Sequence, residues 1–134
     1  MNVRYINKKA LPCKQLHELF TAVGWSDEGE EMLDKFNQPF KGSNIVVSAW
    51  NGDKLVGCIR AISDKAVRSV IYDLAVLPEY QHKGIGKTLI KKCIEHYPNS
   101  EWVLGTTQNN VAYYEKLGFK VHNEIFLRIP SKWF

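Results

Sequence analysis

The stretch from Ile71 to Tyr97 constrains the fold most, because the type of secondary structure it favours changes within a few residues. An apolar run from Ile71 to Leu77 ends at Pro78. Two glycines, Gly84 and Gly86, come before a segment with apolar residues at helical spacing. This order predicts a buried strand, a loop and the first turn of a helix. Such a loop directs backbone N–H groups and the helix dipole at one point, where an anion such as a phosphate can bind.

Two common phosphate-binding motifs fail at single positions of this loop. The ending Gly86-Lys87-Thr88 is similar to that of a Walker A motif, but that motif needs a glycine at position 81, where the chain has Gln81. A dinucleotide-binding fingerprint needs a third glycine at position 89, where the chain has Leu89. The loop therefore belongs to a different class of anion site.

The loop resembles the Gln/Arg-x-x-Gly-x-Gly/Ala motif of the GNAT superfamily of acyl-CoA-dependent N-acyltransferases, which Gln81, Gly84 and Gly86 match. The apolar run before Pro78 is similar to the fourth strand of that family. A second match follows downstream, because the sequence Tyr-Glu-Lys-Leu-Gly-Phe that begins at Tyr114 is similar to the closing motif of the family. The order of predicted elements is also similar along essentially the whole chain.

The resemblance implies a cosubstrate and the residues that hold it. It places the loop backbone around the pyrophosphate of acetyl-CoA and the preceding strand beside the pantetheine arm and the thioester. It also implies a contact from an asparagine at the start of the last helix. Asn109 is our candidate, and Asn110 is the alternative because the spacing to the tyrosine is shorter than is usual. The residues assigned to acetyl-CoA in this way are Leu74, Ala75, Val76, Gln81, His82, Lys83, Gly84, Ile85, Gly86, Lys87 and Asn109.

The same resemblance gives Tyr114 the role of general acid, pointing at the sulfur of coenzyme A. A phenol with a pKa of about 10 can protonate a departing thiolate and still be neutral at pH 7. Tyr113 faces another side of the same helix, and we expect it in the core.

Asp73 is the candidate general base, because it lies between Tyr72 and Leu74 in an apolar strand. A carboxylate in such a place is costly unless it is paired or functional. Acyl transfer to an amine needs a base or a water chain, since the amine must be neutral when it attacks. The competing interpretation is an ion pair with an arginine or lysine of a neighbouring strand.

The remaining pattern predicts one mixed α/β domain over residues 1–134, in the order β-α-α-β-β-β-α-β-α-β, with about six strands and about four helices. A turn at Asn51-Gly52 joins two of the strands. The strand at Trp102–Thr106 follows a helix, so it should run parallel to the strand at Arg68–Val76. A last strand is predicted from Phe119 to Ile129, ended by Pro130.

Composition argues against several other classes of protein. The net charge of +4 is modest and no basic tail is present, so we expect no nucleic-acid partner. The three cysteines form no CxxC pair, which argues against a disulfide framework or a metal site. No signal sequence or long apolar segment is visible, so we expect no membrane partner and a cytoplasmic location.

The resemblance implies an N-acetyltransferase, and we expect it to move the acetyl group of acetyl-CoA to a primary amine of a small molecule, by direct attack in a ternary complex. The alternatives are a non-catalytic acetyl-CoA-binding sensor and a protein or peptide N-acetyltransferase. Homodimerisation is implied by the resemblance alone. The acceptor side is open, because an acidic second helix would suit a polyamine, whereas an aromatic pocket would suit an arylalkylamine. That pocket would comprise Trp25, Phe36, Tyr113 and Phe126.

Overall fold

The computed structural model describes residues 2–25 and 33–132, with side chains from Asn37 onward in the second segment. Five strands form one mixed sheet whose spatial order is the order in sequence. The strands are β1 (Val3–Asn7), β2 (Ile45–Asn51), β3 (Lys54–Ser63), β4 (Arg68–Val76) and β5 (Glu101–Leu104). The helices are α1 (Cys13–Ala22), α2 (Leu33–Lys41), α3 (Ile85–Ile94) and α4 (Val111–Lys116). The predicted mixed α/β fold is confirmed.

The sheet combines an antiparallel meander with one parallel pair. β1 to β4 are antiparallel neighbours, and β4 and β5 run parallel through the α3 crossover, as predicted. The turn between β2 and β3 places Gly52 at φ +60°, which is the left-handed conformation that a tight hairpin requires. The strand predicted at Arg68–Val76 is observed with the same bounds as β4.

Helix α3 packs tightly on the sheet, and a glycine makes the close approach possible. Its inward face is buried and consists of Ile85, Leu89, Ile90 and Cys93. A Cβ added at Gly57 of β3 would lie 3.1 Å from the carbonyl oxygen of Ala75 and 3.3 Å from Leu89 Cδ1. Gly57 therefore sets how near α3 lies to β3 and β4.

The sequence pattern predicts that Pro39 lies beyond the end of the second helix, but α2 continues past this residue. Pro39 lies inside α2, which ends at Lys41. Because a proline has no N–H to donate, α2 lacks one i→i−4 hydrogen bond at this residue. The hydroxyl of Ser43 donates to the Pro39 carbonyl at 2.7 Å and helps to close the helix. The sequence also offers Ser26 or Asp27 as the N-cap of this helix, and both lie outside the described residues.

The predicted last strand at Phe119–Ile129 is wrong for the chain as described. Residues 119–131 form neither helix nor strand, and β5 is the outermost strand at its end of the sheet. The side chains of Ile125, Leu127 and Ile129 are almost fully exposed. An alternating pattern favours a strand, but the strand forms only where a neighbouring strand supplies hydrogen bonds.

We expect Gly57→Ala to lower the free energy of unfolding by about 1–3 kcal/mol, because the added Cβ meets a backbone carbonyl that cannot rotate away. Urea unfolding monitored by tryptophan fluorescence measures the change. Gly42→Ala is the matched control, since its Cβ would make only ordinary contacts of 3.6 and 3.8 Å. A change within about 0.5 kcal/mol is expected there. Equal effects of the two substitutions would contradict the packing role of Gly57.

Candidate active site

The pairing of β4 with β5 stops partway along β4, and we call the space beside the unpaired end of β4 the cleft. The ladder runs from Arg68 opposite Glu101 to Ile71 opposite Leu104. Residues 73–76 of β4 continue to pair with β3 on their other side. In the described part of the chain, the edge of β4 that faces away from β3 has no strand partner beyond Ile71. Ligands of open α/β sheets bind at such a point, outside the carboxyl ends of the strands.

Hydrogen bonds at the end of β4 show which backbone groups face the cleft. The N–H of Leu77 donates to the carbonyl of Val56, which lies in β3, at 2.9 Å. The carbonyl of Val76 instead accepts from Gln81 Nε2 at 2.9 Å. Because successive residues of a strand direct their backbone groups to opposite sides, the N–H of Val76 points away from β3, to the side where β5 has ended.

The glycine loop brings the N-terminus of α3 next to Val76. Two residues of the loop are left-handed, His82 at φ 63° and Gly84 at φ 85°. Gly84 immediately precedes α3, and no side chain caps the helix. Thr88 closes the first turn through its N–H and its hydroxyl, which both donate to the Gly84 carbonyl. The first N–H groups of an uncapped helix point outward and favour an anion.

The loop residues predicted from sequence divide into two groups. Gln81, His82, Lys83, Gly84 and Lys87 are exposed around the helix start. Ile85 is buried in the core, so only its backbone can face a ligand. The two lysines add positive charge beside the uncapped turn.

The two tyrosines of α4 point to different places. A Cβ added at Gly86 would lie 2.8 Å from the hydroxyl of Tyr113, so this hydroxyl lies against the first turn of α3. Tyr114 packs against the core, and its ring meets Phe119 edge-on at 5.8 Å. Tyr113 is 42% exposed, so our expectation of a core position for it is wrong. The role of Tyr114 as general acid stays a prediction.

Burial raises the pKa of both phenols above the ordinary value. For Tyr114, repulsion from ionised Tyr113, whose ring centroid is 5.1 Å away, raises the pKa further. A raised pKa favours the protonated form, so both groups are proton donors at neutral pH.

Asp73 is paired, as the competing interpretation predicted. Its Oδ2 accepts from Nε of Arg60 at 2.6 Å, across the β3–β4 ladder. The side chains of Asp73 and Arg60 are 26% and 15% exposed, so the pair is largely shielded from water. The role of Asp73 as general base stays a prediction.

Arg60 is the residue that the sequence analysis missed. Its guanidinium lies 5.1 Å from the ring centroid of Tyr72 and 5.8 Å from that of Phe40. The available signal was an arginine inside the otherwise apolar run of β3. The predicted aromatic pocket is not assembled as expected, because Phe126 faces solvent. The side chain of Phe36 lies outside the described residues. The aromatic side chains that do meet on this side are Trp25, Phe20, Phe40 and Tyr72, the last through Arg60.

The start of α4 differs in detail from the prediction. A single 3₁₀ turn, Gln108–Asn110, precedes α4, and Asn110 occupies the cap position without a side-chain cap bond. Its amide donates instead to Thr107 Oγ1 at 3.4 Å. The sequence offers Asn109 or Asn110 as the N-cap of this helix. Asn110 holds that position, although its side chain makes no hydrogen bond to the helix. Asn109 is exposed, and its contact with acetyl-CoA stays a prediction.

The described residues were also searched for metal-binding groups, membrane-spanning helices and reactive thiols. Residues 2–25 and 33–132 contain no group of three or more side chains that could hold a metal ion. None of the described helices is long and apolar enough to cross a membrane. Burial raises the pKa of the Cys93 thiol to about 12 and also raises that of Cys58, so neither is a thiolate at neutral pH.

Comparison with known proteins gives a consistent family. The model of the acetyltransferase (GNAT) family matches residues 11–119. GCN5-related N-acetyltransferase 2, chloroplastic, of Arabidopsis thaliana is 36% identical over 88% of this chain and 48% of its own length. Histone acetyltransferase TAP1 of Glycine max is 32% identical over 81% of this chain and 52% of its own length. The chain thus spans about half the length of these plant relatives.

A solved structure supports the same conclusion for the fold. A GNAT-family acetyltransferase from Streptococcus pneumoniae superimposes with a TM-score of 0.77 at 26% sequence identity. The match covers 98% of this chain and 99% of that one.

We expect the Arg60–Asp73 pair to stabilise the fold, because each charge would otherwise be left largely buried and unpaired. Arg60→Gln and Asp73→Asn should each lower the free energy of unfolding by about 1–3 kcal/mol. In a double-mutant cycle by urea unfolding, the two losses should not add. Asp53→Asn, in the exposed turn after Gly52, is the control and should change stability by less than about 0.5 kcal/mol. Additive losses would show that the pair contributes nothing of its own.

Proposed function

The chain belongs to the acetyltransferase (GNAT) family, and from this premise we propose that it moves the acetyl group of acetyl-CoA to a primary amine of a small molecule. We propose that residues 1–134 act as a single N-acetyltransferase domain. The observation that carries the proposal is the cleft where β4 extends beyond β5, with the uncapped start of α3 beside it. A cytoplasmic location stays a prediction. The word chloroplastic in the name of the Arabidopsis thaliana relative describes that protein.

The loop supports binding of the pyrophosphate. Its backbone N–H groups from His82 to Lys87 and the dipole of α3 suit an anion without a dedicated basic pocket. The N–H of Gln81 is already engaged, since it donates to the carbonyl of Pro78 at 3.2 Å. Lys83 and Lys87 add charges that salt would screen, because both are exposed.

The open edge of β4 supports binding of the pantetheine arm. That arm contains two amide groups, and the strand edge from Leu74 to Val76 offers backbone groups that lack a strand partner in the described chain. An extended, amide-bearing molecule can pair with such an edge as an added strand does. This pairing would bring the thioester to the point where β4 and β5 separate.

The proposed reaction is a direct transfer. The nitrogen of a neutral amine attacks the thioester carbonyl carbon, and the N–H of Val76 donates to the developing oxyanion. The carbon–sulfur bond breaks, and Tyr114 gives its phenolic proton to the departing thiolate. Asp73 or a water chain takes the proton that the nitrogen loses, so that the products are an amide and free coenzyme A.

The contacts of Tyr113 suggest a different role for it. Its hydroxyl lies at Gly86, on the phosphate side of the cleft. We propose that Tyr113 contacts bound acetyl-CoA and takes no part in the proton transfer.

The ion pair and the aromatic side chains around it suit a small cationic acceptor. Tyr72 presents an exposed ring beside Arg60 and Asp73, and a partly exposed carboxylate attracts an ammonium group. A protein or peptide acceptor is the second candidate, because one plant relative is named a histone acetyltransferase. A panel of small amines and lysine peptides, offered at equal concentration, separates the two candidates.

The family function itself is tested by binding and turnover. We expect acetyl-CoA to raise the thermal midpoint of the protein, and we expect release of free thiol that depends on an amine. Binding without thiol release from any amine or peptide would favour the sensor alternative. The absence of a thermal shift at millimolar acetyl-CoA would overturn the proposal.

Matched phenylalanine substitutions separate the two tyrosines. Tyr114→Phe should lower kcat about 10²-fold and leave the KM for acetyl-CoA nearly unchanged, because it removes only the proton donor. Tyr113→Phe should raise that KM and leave kcat nearly unchanged. Burial raises the pKa of Tyr114. The kcat of the wild-type protein should therefore show no decrease from ionisation of Tyr114 below about pH 10. The opposite pattern, with kcat lost in Tyr113→Phe, would assign the proton to Tyr113.

A further inference from the structure

The ion pair between Arg60 and Asp73 uses only part of the hydrogen-bonding capacity of each side chain. Nε of Arg60 donates to Oδ2 of Asp73 at 2.6 Å. An arginine and a carboxylate can form two parallel bonds, in which Nη2, beside Nε, would donate to the second oxygen. Among the described residues, Nη2 of Arg60 and Oδ1 of Asp73 have no hydrogen-bond partner. The pair therefore offers a ligand one donor and one acceptor side by side.

Contacts with the end of α2 and with β4 hold the guanidinium of Arg60 in place. Its Nη1 donates to Oγ of Ser43 at 3.3 Å, and the Ser43 hydroxyl gives its own proton to the Pro39 carbonyl. The guanidinium also lies 5.8 Å from the ring centroid of Phe40 and 5.1 Å from that of Tyr72, within the range of cation–π contacts. A group held in this way loses little freedom when a ligand binds, so it is preorganised for an anion.

The pair is partly open to solvent and lies on the strand that borders the cleft. The side chain of Asp73 is 26% exposed, and its neighbour Tyr72 is 55% exposed. Asp73 comes three residues before Val76 in β4, which is roughly 10 Å along a strand. A ligand bound to the pair would therefore lie on the same strand as the proposed site of the thioester.

The charge of Arg60 disfavours an acceptor that carries an ammonium group and no other charge. An ammonium bound at Oδ1 of Asp73 would lie close to the guanidinium, and two positive charges repel each other strongly where water is partly excluded. A carboxylate on the same ligand would accept from Nη2 of Arg60 and offset that repulsion. Because Nη2 and Oδ1 are neighbours across one ion pair, the carboxylate and the amine must also be neighbours in the ligand.

We propose that the acceptor is a free α-amino acid, whose carboxylate binds Nη2 of Arg60 and whose amine binds Oδ1 of Asp73. This inference rests on the proposed function, because it names the class of amine that the same site acetylates. The amine loses a proton to Asp73 or to water and attacks the thioester, so that a carbon–nitrogen bond replaces the carbon–sulfur bond. The products are an N-acetyl amino acid and free coenzyme A. Arg60 then determines specificity and takes no part in the proton transfer.

Matched substrates test the inference in the wild-type protein. The common α-amino acids are offered one at a time with acetyl-CoA, and the release of free thiol is measured. The best of them should have a kcat/KM at least about tenfold above that of its own amide and that of its decarboxylated amine. Rates are compared per concentration of neutral amine, because the three compounds differ in basicity and only the neutral amine attacks.

The outcomes of this comparison separate the inference from the proposed function. Turnover of simple amines or lysine peptides without that preference for the carboxylate would overturn the inference and leave the proposed function intact. The absence of thiol release from every amine, amino acid and peptide would overturn both.

Arg60→Lys tests the same contact from the side of the protein, because lysine keeps the charge but lacks the paired N–H groups. The substitution should raise the KM for the amino acid at least about tenfold and leave the KM for the decarboxylated amine within about twofold. Arg68→Lys is the matched control and should change neither KM, since Arg68 pairs with Glu101 at the other end of β4. A purely structural role of Arg60 would change both KM values alike, and that result would contradict the inference.

Discussion

The difference in length between β4 and β5 is the constraint on which the rest of the site depends. β4 has nine residues and its parallel neighbour β5 has four. The first residues of the two strands lie opposite each other, so β5 ends when β4 has reached only Ile71. The rest of β4 therefore has a free backbone edge on that side in the described chain. The glycine loop then turns the chain so that the start of α3 lies beside the same edge. The uncapped start of a helix and an unpaired strand edge thus come together without any side chain dedicated to either.

Much of the structure from β4 to α4 could be predicted, because prolines and glycines mark the ends of its strands and helices. Pro78 ends a strand, Gly84 permits the left-handed turn before α3, and Gly118, at φ +101°, ends α4. Each of these residues acts through its own backbone, so that its effect needs no knowledge of distant contacts. The parallel direction of β5 followed from connectivity alone.

The side-chain contacts could not be predicted in the same way. The partner of Asp73 is Arg60, and their pairing depends on the β3–β4 register, which shifts at a bulge next to Arg60. Tyr113 and Tyr114 are adjacent on a helix of six residues. Helical periodicity separates the directions of adjacent residues but does not say which one faces the core when so short a helix can rotate as a unit. The packing of α4 on Phe119 decides this, and that contact is tertiary.

The predicted strand at Phe119–Ile129 failed for a different reason, and the failure links the site to the outer edge of the sheet. The residues there have strand composition, but strand structure requires a second backbone, and the described chain provides none at that place. β5 is the element at issue in both cases, since its inner side forms one wall of the cleft and its outer side is unpaired. A strand of four residues that pairs on one side only contributes little stability of its own, so this wall of the cleft depends on the pairing of β5 with β4.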